Sequence, residues 1–289
     1  MAMTGSKHLV DPAWLEARLD DSSIRVIDCT LFMTPQPVGP SIVESGRSDW
    51  QAGHIPGSVY LHMVEDLSAP RDGLPYNLPP PEHITDLLAS IGVNQDTRVV
   101  LYGAGFFNAI TRAWWVLKAS GVADVRILNG GWPRWTAENR PVSTGKTVFG
   151  RGNFQARRQA GRIAARIDVE AAIQDPDVVL INSLTPEQFH GTGGAHYGRP
   201  GRIPGSVNLP SRDLMESEPL LYKPLGTLEQ MFKQSAVFEH EKVICYCGGG
   251  IAASNTAFVL DMLGHESVAL YDQSLLEWSA DRDLPMEVG

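Results

Sequence analysis

The chain has 289 residues, 43% of them hydrophobic, with 7 tryptophans and a formal net charge of -9. That length holds two ordinary domains with cores of their own, and the apolar share excludes a disordered chain. The acidic balance argues against nucleic acid and anionic membrane surfaces as partners, and no apolar run reaches the ~18 residues of a membrane span.

Residues 1–10 lack the apolar stretch of a signal peptide. The three cysteines, Cys29, Cys245 and Cys247, are too few for a disulfide framework and point to a reducing compartment, taken as the cytoplasm. Cys245 and Cys247 have no further Cys or close His set to complete four ligands, so no metal is expected, and no other cofactor is implied.

In chain order, Asp11 and Pro12 cap a short helix over 13–19, with Asp as N-cap and Pro in the first turn. The run 25–29 reads as a buried strand. Gly53-His54-Ile55-Pro56-Gly57-Ser58-Val59 is a turn into a second strand. Ile84, Leu87, Leu88 and Ile91 have helical spacing. Residues 98–102 form a continuous strand-type run that ends at Gly103-Ala104-Gly105. A helix over 108–118 and a strand over 125–128 follow, and the half closes on Gly130-Gly131-Trp132.

The second half repeats this order: a helix over 168–173, a strand over 178–182, a helix over 225–232, a strand ending at Tyr246 and a helix over 251–263. Residues 201–207 match 53–59 position for position, except that Arg202 replaces His54. A period of half the chain means tandem domains, not a solenoid. Strands alternating with helices predict an α/β fold with a mostly parallel sheet in each half. The expected boundaries are an N-terminal domain over 1–145, a linker over 146–160 rich in Gly and Arg, and a C-terminal domain over 161–289.

The chemistry gathers at Cys247-Gly248-Gly249-Gly250-Ile251-Ala252. A strand that enters a helix through glycines points backbone N–H groups into a small concavity. A thiol there has its thiolate stabilised by those donors and by the helix dipole. Cys247 is therefore the expected nucleophile. In the aligned first half Gly103 stands opposite it and can do no such chemistry, so one site per chain is expected. Cys245 lies two residues earlier and is expected to pack in the core, although it could resolve a persulfide as a disulfide.

These motifs together resemble the two-domain rhodanese-type sulfurtransferases over nearly the whole chain. The resemblance rests on 54–58, Ile203-Pro204-Gly205-Ser206-Val207-Asn208, Arg112-Ala113-Trp114-Trp115, Gly130-Gly131-Trp132, Tyr271-Asp272 and Glu277-Trp278, with the loop 247–252 in the place of the family's active-site loop. It implies two tandem rhodanese-like domains, the second catalytic and the first not. It also implies that Cys247 takes sulfur from thiosulfate or 3-mercaptopyruvate as a persulfide and passes it to cyanide, a thiol or a dithiol protein. Persulfide charge would rest on the loop amides, as on an oxyanion hole.

The loop departs from the family's two patterns. Thiosulfate-type loops carry Arg and Lys after the cysteine, and mercaptopyruvate-type loops carry Gly, then Ser and a later Thr. Here Gly248 fits the second type, but Gly249 and Ala252 remove both hydroxyls. The resemblance also places a carboxylate-binding arginine where Gln188 or Phe189 stands. Gln188, His196, Arg199, Arg202 and His54 are therefore the candidate donor-binding residues, with a guanidinium fork the natural partner of a carboxylate or sulfonate. A cysteine phosphatase needs an arginine closing a longer loop. Position 253 is Ala and no Arg occurs between Cys247 and Arg282, so that reading fails. A non-catalytic persulfide-binding or regulatory module is the alternative that stays open.

Overall fold

The computed structural model describes residues 7–34, 42–194, 197–217 and 220–289. The chain divides into two compact units, each with one five-stranded parallel sheet. The first unit comprises residues up to 69, 78–159 and 216–222; the second comprises 70–77, 160–215 and 223–289. Each unit thus takes in a short stretch from the other half of the sequence.

In the first unit the elements are β1 (Leu9–Val10), α1 (Pro12–Glu16), β2 (Ile24–Asp28), β3 (Leu31–Thr34), β4 (Ile42–Ser45), α2 (Arg47–Ala52), β5 (Val59–Tyr60), α3 (Pro81–Ser90), β6 (Arg98–Tyr102), α4 (Asn108–Ala119), β7 (Val125–Leu128) and α5 (Gly131–Ala137). The sheet order is β1-β7-β6-β2-β5, and β3 pairs with β4 as a separate antiparallel hairpin. Central β2 and β6 are buried at almost every position because helices cover both faces of a parallel sheet. Val26, Val100, Tyr102 and Trp135 lie in one core cluster, and each such buried side chain contributes roughly 1.5–3 kcal/mol.

The second unit holds β8 (Ile163–Ala164), α6 (Arg166–Ala172), β9 (Val178–Asn182), α7 (Pro186–His190), β10 (Val207–Asn208), α8 (Leu225–Gln234), β11 (Lys242–Tyr246), α9 (Ile251–Met262), β12 (Val268–Tyr271) and α10 (Ser274–Trp278). Its order, β10-β9-β11-β12-β8, is the first sheet read from the other edge, strand for strand. The duplication extends to hydrogen bonds. Tyr102 Oη accepts from Ile55 N–H and meets Ser58 Oγ, and Tyr246 Oη does the same with Ile203 N–H and Ser206 Oγ. Asp28 Oδ1 accepts from Thr30 N–H, as Asn182 Oδ1 does from Leu184 N–H. Trp135 and Trp278 each donate from the indole to a proline carbonyl, Pro141 and Pro285. These shared bonds explain why the Ile-Pro-Gly-Ser turn and the closing Trp recur: each ties a loop to the end of a central strand.

The stretch 146–159 belongs to the first unit. Gly152 N–H donates to Ala89 O, Phe154 N–H to Val93 O and Arg157 N–H to Ser120 O, and Phe154 is buried. Among the described residues no helix is long and apolar enough to cross a membrane.

Candidate active site

β11 is the middle strand of the second sheet, between β9 and β12. Ligand-binding crevices in parallel sheets lie beyond the carboxyl ends of such strands, and Cys247 is the first residue past that end. It is 2% exposed. Its amide donates to Ser274 Oγ at 3.0 Å, and Ser274 Oγ donates in turn to Tyr271 O at 2.7 Å. The carbonyls of Cys247 and Gly248 accept from Leu275 and Leu276 N–H at 3.2 and 2.9 Å. The first turn of α10 is thus a shelf that fixes the start of the loop.

Gly250 takes φ +74° as the residue that caps α9, a left-handed conformation that costs a residue with a Cβ roughly 1–2 kcal/mol. Among the described residues none accepts a hydrogen bond from the amides of Gly248, Gly249 or Gly250. Together with the first amides of α9 they form a set of unengaged donors beside the sulfur, the arrangement that binds an anion. Cys245 is fully buried, and burial pushes its thiol well up from its ordinary value. It packs in the core as expected.

The loop is covered by aromatic and apolar side chains. The hydroxyl-bearing end of the Tyr197 ring lies so close over Gly248 that a Cβ at 248 would overlap it, and Tyr76 and Leu276 stand over Gly249 in the same way at 3.4 and 3.0 Å from where a Cβ would be. A small open crevice beside Gly249 is lined by Tyr76, Asn77, Asp272, Gln273 and Leu276 among others. Gln273 Nε2 donates to Asn77 Oδ1 at 3.0 Å, which pins the 70–77 stretch beside the loop.

The structure separates the other candidates. Gln188 is tied to the start of α7, its Oε1 accepting from Thr185 N–H at 3.2 Å. Arg199 is not available for a donor: Nε bonds Ser279 O, one terminal nitrogen Leu284 O, and the other Asp281 O and Trp278 O. Arg202 bonds Gly289 O and Glu287 Oε1 and stacks over Phe189 at 4.4 Å. Both forks thus bond groups of the C-terminal residues. His54 belongs to the first unit, where its Nδ1 bonds Trp50 O at 2.6 Å and its ring stacks on Trp50 at 4.5 Å. It is a turn histidine with both its polar and its apolar surface engaged. His196 lies outside the described residues. Sequence reasoning missed Tyr197 because it looked for a cation in that stretch. It missed Tyr76 and Asn77 because nothing in a chain 196 residues away from Gln273 signals the pairing.

The sequence pattern of the rhodanese-like domain matches residues 11–138 and again 166–281. The chain belongs to the rhodanese family in its two-domain form, and its enzyme class is sulfurtransferase. Among its relatives, the 3-mercaptopyruvate sulfurtransferase of Escherichia coli (strain K12) is 30% identical over 95% of both chains. The thiosulfate sulfurtransferase of Gallus gallus is 28% identical over 93% of this chain and 92% of its own. Among solved structures, the Escherichia coli 3-mercaptopyruvate enzyme SseA superposes with a TM-score of 0.80 at 28% identity, covering 92% of this chain and 98% of the other.

Proposed function

We propose that Cys247 is the nucleophile of the sulfur transfer and that the second unit carries the one site of the chain. Its thiolate takes a sulfur atom from a small donor, thiosulfate or 3-mercaptopyruvate being the donors named for the relatives. It holds that sulfur as a persulfide and gives it up to a thiol, a dithiol protein or cyanide. The observation that carries this reading is the set of unengaged amides at Gly248, Gly249 and Gly250 beside a cysteine at the end of the central strand. Such donors stabilise a terminal persulfide charge in a site that excludes water, as an oxyanion hole does. Each half-reaction leaves a free enzyme form, so ping-pong kinetics follow. The equivalent place in the first unit is Gly103, which carries no sulfur and where a Cβ would lie 3.0 Å from Thr30 N. The three free cysteines fit a reducing compartment such as the cytoplasm.

The test is intact mass after incubation with thiosulfate, 3-mercaptopyruvate and an alkyl persulfide in turn. Wild type gains one sulfur atom from at least one of them, and Cys247→Ser gains none. A protein that takes sulfur from none of the three, or a Cys247→Ser variant that takes it as wild type does, overturns the assignment and favours the non-catalytic binding module.

A further inference from the structure

Cys247 is 2% exposed, so a thiol that takes sulfur from it has to pass what covers the loop. The crevice at Gly249 is an opening beside that loop. Residues 74–77 form one wall of it, and Gly249, Asp272, Gln273 and Leu276 form the other. The first wall is held in shape by its own bonds. Arg71 and Leu74 exchange both backbone hydrogen bonds, at 3.0 and 2.9 Å, across Asp72 at φ +54° and Gly73 at φ +79°. Two successive left-handed residues make the tight two-residue turn that matches the twist of its flanks. Asn77 is 5% exposed and donates from Nδ2 to Leu74 O at 2.7 Å, which closes the stretch on itself. Its Oδ1 accepts from Gln273 Nε2 at 3.0 Å, and that bond joins the two walls.

The duplicated frame shows that the fold does not require the Gln273 side chain. Gln273 precedes α10 as Gly130 precedes α5, at the same spacing from the closing tryptophans Trp278 and Trp135. The residues that follow, Ser274 and Gly131, share a left-handed φ of +50° and +52°. Gly130 starts its helix with no side chain, and the Gln273 side chain makes no capping bond to α10. The amide is thus an addition made in the unit that holds Cys247, and it is spent on Asn77.

We propose that Gln273 and Asn77 set which thiols accept sulfur from Cys247: paired, they hold Tyr76 and the 71–74 turn beside the loop, leaving the persulfide open to a small thiol and closed to a cysteine on a folded protein. This rests on Cys247 being the nucleophile. In the step, the acceptor sulfur attacks the outer sulfur of the Cys247 persulfide, and a new S–S bond forms between them. The bond from the outer sulfur to Cys247 Sγ breaks, and its electron pair leaves on Cys247 as thiolate. The acceptor thiol's proton passes to the outer sulfur, and nothing is oxidised or reduced overall. A small thiol brings only its own few atoms between the walls. A protein acceptor brings a face on the order of 500 Å² even in a weak redox encounter. That face has to settle beside a loop which Tyr76 and Leu276 cover, and it does so only with the 70–77 wall drawn back.

The experiment loads Cys247 with sulfur, removes the donor and follows loss of that sulfur by intact mass. The acceptors are 2-mercaptoethanol and reduced thioredoxin, each rate being divided by the same acceptor's rate with a free alkyl persulfide. Wild type is expected to be about 10-fold or more slower with thioredoxin on this scale, because only the minor fraction with its wall drawn back is competent. Gln273→Ala is expected to raise the ratio of the thioredoxin rate to the 2-mercaptoethanol rate about 2–10-fold, the weight of one hydrogen bond on an open–closed equilibrium. Gln273→Met keeps the length without the donor and gives the same rise, which separates the lost bond from any loss of packing. Asn77→Ala in the Gln273→Ala background adds little to the ratio, since the two act through one bond. Equal wild-type rates with the two acceptors overturn the selectivity. A ratio that neither Gln273 variant moves overturns the role of the pair. If wild type gains no sulfur from any donor, it is the Cys247 assignment that falls.

Discussion

Cys247 owes its position to a neighbour as much as to its own strand. Ser274 accepts its amide hydrogen and passes a hydrogen bond on to Tyr271 O. Ser274 does so at φ +50°, a conformation that costs a non-glycine residue of order 1–3 kcal/mol and persists where the surroundings over-determine it. Ser274→Ala leaves a buried N–H without its acceptor, so a loss of about 1–3 kcal/mol in urea unfolding is expected, together with slower loading of Cys247. An unchanged urea midpoint would show that the Ser274 bond contributes nothing. Gly248→Ala is expected to slow loading of Cys247, since its methyl group needs the space of the Tyr197 ring and displaces it. A Gly248→Ala variant that loads sulfur normally would mean that Tyr197 is not needed where it stands.

The elements that carry the site differ in how they show themselves in the chain. β6, β7 and β9 occupy the residues read as strands, 98–102, 125–128 and 178–182, because buried parallel strands are rich in apolar, β-branched residues. α9 is legible for the opposite reason: it is buried nearly all round, and three glycines mark where it begins. Those glycines are not equivalent. Gly250 alone has a left-handed φ, so Gly250→Ala is expected to cost about 1–2 kcal/mol in chemical denaturation and to tilt the amide set, slowing loading. α2, α7 and the β3–β4 hairpin leave little trace in the sequence, since helices of five or six residues span less than two turns and strands of four residues only two alternations. The Thr185–Gln188 capping pair was a readable sign of α7.

Across the whole molecule the duplicated frame holds unlike residues at equivalent points. Asp28 in the first unit and Asn182 in the second end matching strands and cap matching turns. Burial raises the Asp28 carboxyl to about 6, with the Thr30 hydrogen bonds opposing that rise. The folded protein therefore binds this proton more tightly than the unfolded chain, whose carboxyl titrates near 3.9. The resulting stability is fully present below about pH 4 and is lost as pH rises through about 6. Asp28→Asn keeps the acceptor for Thr30 N–H and removes the charge. Between pH 4 and pH 7 wild type is expected to lose on the order of 2–3 kcal/mol relative to that variant, measured by denaturant midpoints across pH. Parallel stability curves for the two proteins would rule out a raised Asp28 carboxyl.

The sequence by itself determined the duplication, the alternation of strand and helix, and the glycine loop behind Cys247. All of these follow from local pattern: apolar runs, glycine punctuation and a repeated Ile-Pro-Gly-Ser turn are written in consecutive residues. Only the tertiary structure decided what surrounds the sulfur. An arginine in a chain is a charge whose partner is unknown, and Arg199 and Arg202 proved to be bound to carbonyls and a carboxylate near the C-terminus. Tyr197, Tyr76 and Asn77 carry no catalytic signature in the sequence. They reach the loop because one lies over Gly248, one over Gly249 and one is held by Gln273, and proximity of that kind is set by packing between distant segments.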